Sequence, residues 1–236
     1  MTLQYQRVLI KLSGEAMMGG QEFGFDPAMF NYVAGEIAQA HQAGLSLGVV
    51  IGGGNIFRGI MADALQIDRV AADQMGMLAT VINAIALVEA LERRGSPARM
   101  LTAQEMRAVG EPYIRRRALR HLDKGRVVVF AGGTGNPYFT TDSAAALRAV
   151  EIHAGLLLKA TKVDGVYDRD PKKFPDAKKV DRISFSDALA QRLKVMDATA
   201  FALCQDNKLP IRVYNLLEAG ALVKIVNGAE IGSLVS

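Results

Sequence analysis

Short, continuous apolar runs alternate with amphipathic stretches along most of the chain. Residues 7–12 (RVLIKL), 45–51 (LSLGVVI), 126–131 (RVVVFA) and 156–160 (LLLKA) are predominantly apolar runs without polar alternation, the pattern of strands buried in a parallel sheet. Further strands are expected at 98–101, 211–214 and 231–235. Behind Asp26-Pro27, an N-cap with proline at the first helical position, Phe30, Val33, Ile37 and Ala40 recur at helical spacing up to a stop at Gly44. A long helical pattern covers 67–94. Its apolar residues Met75, Leu78, Val81, Ile82, Ile85, Val88 and Leu91 exceed a single stripe, which predicts burial on two sides or a subunit interface. We favour the interface, hence an oligomer. Helices are also predicted at 112–124, 141–153 (with Thr141, Asp142 and Ser143 as candidate caps), 186–193, 197–207 and from Glu218. Residues 17–24 and 161–179 read as loops, the second long and polar. Alternating strands and helices predict an α/β fold, a three-layer sandwich whose mostly parallel central sheet is flanked by helices.

Composition narrows the class without deciding it. The 236 residues could form one large domain or two small ones, and half of them are hydrophobic, enough for a sizeable core. The net charge of +4 suits an anionic substrate but gives no clustered basic surface for nucleic acid. One cysteine, Cys204, excludes an internal disulfide and fits a reducing compartment. The start MTLQYQRVLIKLSG lacks the pattern of a signal peptide, and charge or glycine interrupts the apolar segments short of a membrane span. A soluble cytoplasmic protein is expected.

Three glycine-bearing turns carry the candidate chemistry: KLSGE from Lys11, IGGGNIFRG from Ile51 and AGGTGNPYFTTD from Ala131. Each follows a strand, and in doubly wound folds ligands lie at the carboxyl ends of strands. Glycine turns offer backbone N–H groups to an anion, and the Arg58 guanidinium can grip phosphate oxygens. Lys11 stands inside an apolar strand, where it is costly without a negative partner. There is no G-x-x-x-x-G-K-[ST], G-x-G-x-x-G, H-E-x-x-H, G-x-S-x-G or cysteine pair. His41, His121 and His153 fall in helical segments and read as surface or packing residues, and Cys204 as a small buried side chain. The row Arg115, Arg116, Arg117 reads as solvated surface. What remains is the toolkit of phosphoryl transfer, in which positioning and charge stabilisation dominate.

KLSGE, IGGGNIFRG, DQMGMLAT, GGTGNPYFTTDSAA and KATKVDGVYDRDP, in this order and spacing, resemble the bacterial uridylate kinases of the amino-acid kinase superfamily. The resemblance runs from about Arg7 to the end; DQMGMLAT with GNPYFTTD is its most specific part. It implies the amino-acid kinase (carbamate kinase-like) fold over 1–236, with UMP held by the N-terminal half and ATP by the C-terminal half. Lys11 and Arg58 would stabilise the transferring phosphoryl group, Leu12, Ser13 and Gly14 would line its cradle, Gly53 would meet UMP and Gly54 the ATP phosphates. Asp73 would accept from the ribose hydroxyls. Thr134, Gly135, Asn136, Pro137, Tyr138, Phe139, Thr140 and Thr141 would wrap the uracil and α-phosphate. Asp142 would orient the catalytic cations or the Mg²⁺-bound phosphates, with helix capping as the alternative. Thr161, Tyr167 and Asp170 would hold adenosine, and Lys172, Lys173, Lys178 and Lys179 beyond them would be solvated. The resemblance further implies Mg²⁺ bound through the nucleotide phosphates without protein ligands, a homohexamer, GTP activation and UTP inhibition. The effector loop would be Gly19, Gly20, Gln21, Glu22, Phe23 and Gly24, which also reads as an ordinary turn. A carboxylate kinase acting on glutamate or acetylglutamate and a nucleotide-sensing regulator are the competing readings.

Overall fold

The computed structural model describes residues 3–171, 173–193 and 195–236, with the backbone alone for Ile60 and Asp63. Strand β1 (Arg7–Leu12) leads through a 3-10 turn (Gly14–Met17) to α1 (Pro27–Gln42) and β2 (Ser46–Ile51). Then come α2 (Gly59–Ala64), α3 (Arg69–Glu92), β3 (Ala98–Thr102), β4 (Glu111–Pro112), α4 (Arg115–Asp123), β5 (Val127–Ala131) and α5 (Thr141–Glu151). The second half holds β6 (Leu156–Thr161), β7 (Val166–Tyr167), β8 (Lys179–Val180), β9 (Arg182–Ile183), α6 (Phe185–Ala190), α7 (Ala198–Asp206), β10 (Ile211–Asn215), α8 (Ala221–Val226) and β11 (Ser233–Val235).

Nine of these strands form one sheet in the order β4-β3-β5-β2-β1-β6-β10-β11-β9. Pairing is parallel from β4 to β10, and β11 then runs antiparallel to β10. Strands β5, β2, β1 and β6 are neighbours, so the turns that follow them share one edge of the sheet.

Both faces are covered, which explains the continuous apolar strands. Val8, Ile10 and Leu12 of β1 pack with α1, α3 and α8, whereas Leu9 packs with α4, α5, α6 and α7. Successive strand residues face opposite ways, so Lys11 shares the face of Leu9, under α5 and α7. Asp26 caps α1 through Met29 N at 2.8 Å, as the Asp26-Pro27 pair predicts.

Helix α3 is greasy on several faces for two reasons. Met77, Val81, Leu87 and Leu91 are buried in the fold, while Met75, Leu78, Ile82 and Ile85 form a stripe 38–47% exposed. The helix is long and apolar enough to cross a membrane, contrary to the expectation that charge or glycine interrupts such segments, but half of that stretch is buried inside the protein.

The structure departs from the sequence reading elsewhere. Glu111–Pro112 pairs with β3, so the helix expected from Pro112 begins at Arg115; Tyr113 N donates to Thr102 O, and proline, lacking N–H, sits at the sheet edge. The polar segment 161–179 is no plain loop, because β7 and β8 close it into an antiparallel hairpin. Helix α5 ends at Glu151, and His153 lies beyond it with φ +57°. Lys173 and Lys178 are exposed, Lys179 faces Asp164 and Asp181, and Lys172 lies outside the described residues.

Candidate active site

The ends of β1 and β2 meet backbone to backbone. A Cβ on Gly14 would stand 2.6 Å from Gly54 N and 2.7 Å from Gly52 O, so only glycine lets the two turns close on each other. Gly53 lies equally tight against α3, where a Cβ would meet Ala79 Cβ at 2.7 Å and Gly76 O at 2.8 Å. A buried carboxamide pair fixes this junction. Asn83 Nδ2 donates to Gly52 O (2.7 Å) and Asn55 Oδ1 (2.6 Å), and Asn55 Nδ2 donates to Asn83 Oδ1 and Gly24 O. Ser13 caps the 3-10 turn by accepting from Glu15 N, and Leu12 is fully buried, its carbonyl accepting from Gly52 N.

Asp142 is not the cap of α5. Thr140 does that, accepting from Asp142 N and Ser143 N, so the Asp142 carboxylate is free to face the sheet. There Lys11 Nζ stands 2.7 Å from its Oδ1 and Lys159 Nζ 2.7 Å from its Oδ2. All three side chains are 12–17% exposed. Burial alone would raise the Asp142 pKa, but the two ammonium groups outweigh it and hold the carboxyl below the usual range. For Lys159 burial wins, drawing its pKa down despite Asp142. Asp197 backs this cluster: it accepts from Thr140 Oγ1 and Ser143 Oγ and caps α7 through Ala200 N.

A cavity of about 460 Å³ opens beside the bridge, lined by Gly53, Gly54, Asp73, Gly76, Thr80, Gly133, Thr134, Asn136, Phe139, Thr140 and Thr141 among others. It thus gathers the glycine triplet, DQMGMLAT and the turn after β5. Asp73 accepts from Arg69 Nε at 3.0 and 2.9 Å and from Tyr138 N at 2.7 Å. Tyr138 itself, with φ +71°, is exposed, and neither it, Gly135 nor Pro137 lines the cavity. Thr80 Oγ1 accepts from Gly132 N, tying the turn to α3. Arg58 lies nearby but lines neither this cavity nor the next. Its Nε donates to Gly54 O at 2.9 Å, and Glu15 Oε1 is 3.5 Å from its Nη2.

The second cavity, about 600 Å³, is lined by Lys159, Thr161, Val163, Tyr167, Asp170, Phe174 and Val195 among others. The three residues expected around adenosine therefore share one space. Tyr167 OH donates to Asp164 Oδ1 at 2.6 Å, which raises the phenol pKa and lowers that of Asp164. Residues 19–24 line neither cavity; they are latched to the glycine triplet through Gly24 N to Asn55 O. Among the described residues no cluster of three His, Cys, Asp or Glu side chains could hold a metal. Both Asp142 oxygens face lysines, so the donor set suits Mg²⁺ arriving on phosphates. The three histidines lie outside both cavities. Cys204 is buried, its thiol pushed up to about 12 by burial and by Asp142, which makes it inert.

Sequence reasoning missed Lys159, Asp197, Asn55 and Asn83. Lys159 was legible, since it interrupts LLLKA as Lys11 interrupts RVLIKL.

The sequence pattern of the Amino acid kinase family matches residues 6–215. A uridylate kinase of Xanthomonas campestris pv. campestris is 56% identical over 233 residues, covering 99% of this chain and 97% of that protein. The crystal structure of a UMP kinase from Bacillus anthracis superposes with TM-score 0.96 at 40% identity, over 98% of this chain and 96% of that one. That of a UMP kinase from Ureaplasma parvum gives 0.93 at 38%, over 99% and 100%. The chain belongs to the amino acid kinase family, within which it groups with the uridylate kinases.

Proposed function

We propose that the protein is a UMP kinase that transfers the γ-phosphoryl group of ATP to UMP, releasing UDP and ADP for pyrimidine nucleotide synthesis. One observation carries this reading. Two separate cavities adjoin a Lys11–Asp142–Lys159 bridge, one lined by Thr141, the chain neighbour of Asp142, and the other by Lys159 itself. The acceptor oxygen of a nucleoside monophosphate is already anionic near neutral pH, with a second phosphate pKa of about 6, so no general base is required. Histidine-free cavities fit such an acceptor.

In this reading one domain spans the chain, with UMP in the N-terminal cavity and ATP in the C-terminal one. Asp73 accepts from the ribose hydroxyls. Gly53 and the residues from Thr134 to Thr141 hold the uracil and α-phosphate. Thr161, Tyr167 and Asp170 hold adenosine. Backbone N–H groups at Ser13, Gly14 and Gly54 cradle the phosphates. Lys11 and Arg58 neutralise charge that spreads over the transferring group, where charges already in place cost no reorganisation as the transition state forms. Arg58 reaches it by leaving its exposed contact with Glu15. Asp142 keeps Lys11 aimed. Mg²⁺, bound through the nucleotide phosphates, supplies further neutralisation.

The exposed stripe Met75, Leu78, Ile82 and Ile85 supports a homo-oligomer, read as a hexamer of a soluble cytoplasmic enzyme, and light scattering showing only monomer would remove that part. GTP activation through residues 19–24 and UTP inhibition complete the reading.

ADP release from Mg-ATP with UMP as acceptor tests the proposal. Turnover with UMP is expected; turnover only with glutamate or acetylglutamate would replace it with a carboxylate kinase, and UMP binding without turnover with a nucleotide sensor.

A further inference from the structure

The reaction just proposed needs Lys11 and Arg58 at the phosphoryl group; it assigns nothing to Lys159, although that residue is built into the bridge as firmly as Lys11. Lys11 and Lys159 are register partners in β1 and β6, their backbones about 4.8 Å apart, with both side chains on the α5 face. Two ammonium groups so placed repel, and the Asp142 carboxylate between them gives one oxygen to each at 2.7 Å. Lys159 Nζ also donates to Val195 O at 2.6 Å, which anchors it to the segment before α7. Asp142 is thus gripped from two sides, and one of its grips is fixed to a separate part of the fold. With Lys11 alone, the carboxylate could rotate about its own side-chain torsions and carry the ammonium with it.

We propose that Lys159 is a positioning residue for phosphoryl transfer: it clamps Asp142, and through Asp142 it fixes the direction in which Lys11 projects at the end of β1. The clamp gives the buried charge a function that offsets its cost. Burial disfavours its charge, and a leucine or methionine would pack in an apolar strand at less cost. Its presence in the wall of the C-terminal cavity offers a different role, direct contact with the donor nucleotide, and the two roles separate by kinetics.

Lys159→Met, Lys159→Arg, Lys11→Met and the double variant Lys11→Met/Lys159→Met are compared with wild type in ADP release, with kcat expressed per UMP-binding site measured by calorimetry. A displacement of about 1 Å at a reacting centre costs on the order of 100-fold, so Lys159→Met should lower kcat about 100-fold while both KM values stay near wild type. Lys159→Arg, which keeps the charge, should recover part of that loss. In the Lys11→Met background the second substitution should cost little more, because Lys159 acts through Lys11. An unchanged kcat in Lys159→Met, a raised ATP KM as the main effect, or multiplied losses in the double variant would each overturn the inference. Absence of UMP turnover by the wild type would instead strike the proposed function itself, and so the two failures are distinguishable.

Discussion

Replacing Asp73 by asparagine should weaken UMP and leave ATP alone. The Asp73 carboxylate accepts from Arg69 Nε at 3.0 and 2.9 Å and from Tyr138 N at 2.7 Å, at the wall of the N-terminal cavity. In the proposed complex it also accepts from the ribose hydroxyls. Asparagine keeps one acceptor oxygen but loses the charge and turns an amide N–H₂ toward a donor. A hydrogen bond to a charged group contributes roughly 1.5–3 kcal/mol. Losing one, at about 1.4 kcal/mol per tenfold, raises the UMP KM by about 10- to 150-fold. The cost to folding is much smaller, since an i,i+4 ion pair on a helix surface contributes about 0.3–0.5 kcal/mol. None of the residues lining the C-terminal cavity lines the N-terminal one, so the ATP KM should match wild type. Steady-state ADP release, varying each substrate at saturation of the other, reads both constants. Equal rises in the two KM values, or an unchanged UMP KM, would refute the assignment.

Other perturbations test the architecture. Gly53→Ala places a methyl 2.7 Å from Ala79 Cβ, and such overpacking costs about 1–3 kcal/mol, a lowering of Tm by roughly 2–12 °C in calorimetry; an unchanged Tm would mean that α3 yields easily there. Asn83→Ala removes the donor from buried Gly52 O and Asn55 Oδ1, and each stranded acceptor costs about 1–3 kcal/mol, visible as an earlier denaturant midpoint. Because the folded Asp142 pKa lies below its ordinary 3.8, its contribution to stability is present above about pH 4 and is lost as pH falls through the folded value. Lys159→Met removes one of the two cations that depress it, so the acid unfolding midpoint should move upward; a midpoint that stays put would contradict the electrostatic account.

How much could be read from the chain depended on the range of the interactions involved. Strands β1, β2, β5 and β6 were legible because burial on both faces leaves a continuous apolar run, and α1 because its cap, proline and periodicity agree. The β4 edge was not, since two residues paired to β3 carry no period, and Arg115–Asp123 supplied a helical signal that spread backward over Pro112. The hairpin within 161–179 was hidden by its polarity. At the site, glycine, lysine and aspartate were visible as residue types, but the pairing of Asp142 with two lysines depends on the register of β1 with β6. Asn83 is a polar residue on a greasy helix, and its partner Asn55 is 28 positions away, at the end of the glycine triplet.

Comparing UMP, CMP and dUMP as acceptors, each with Mg-ATP and wild-type protein, asks whether the protein selects both uracil and ribose. In the proposed complex the N-terminal cavity meets the base through the turn after β5 and the ribose through Asp73. UMP should therefore exceed dUMP in kcat/KM by about 10-fold or more, the worth of one charge-assisted hydrogen bond, and CMP should turn over poorly. Equal kcat/KM for UMP and dUMP would show that Asp73 does not meet the ribose, and equal values for UMP and CMP that the turn after β5 does not read the base.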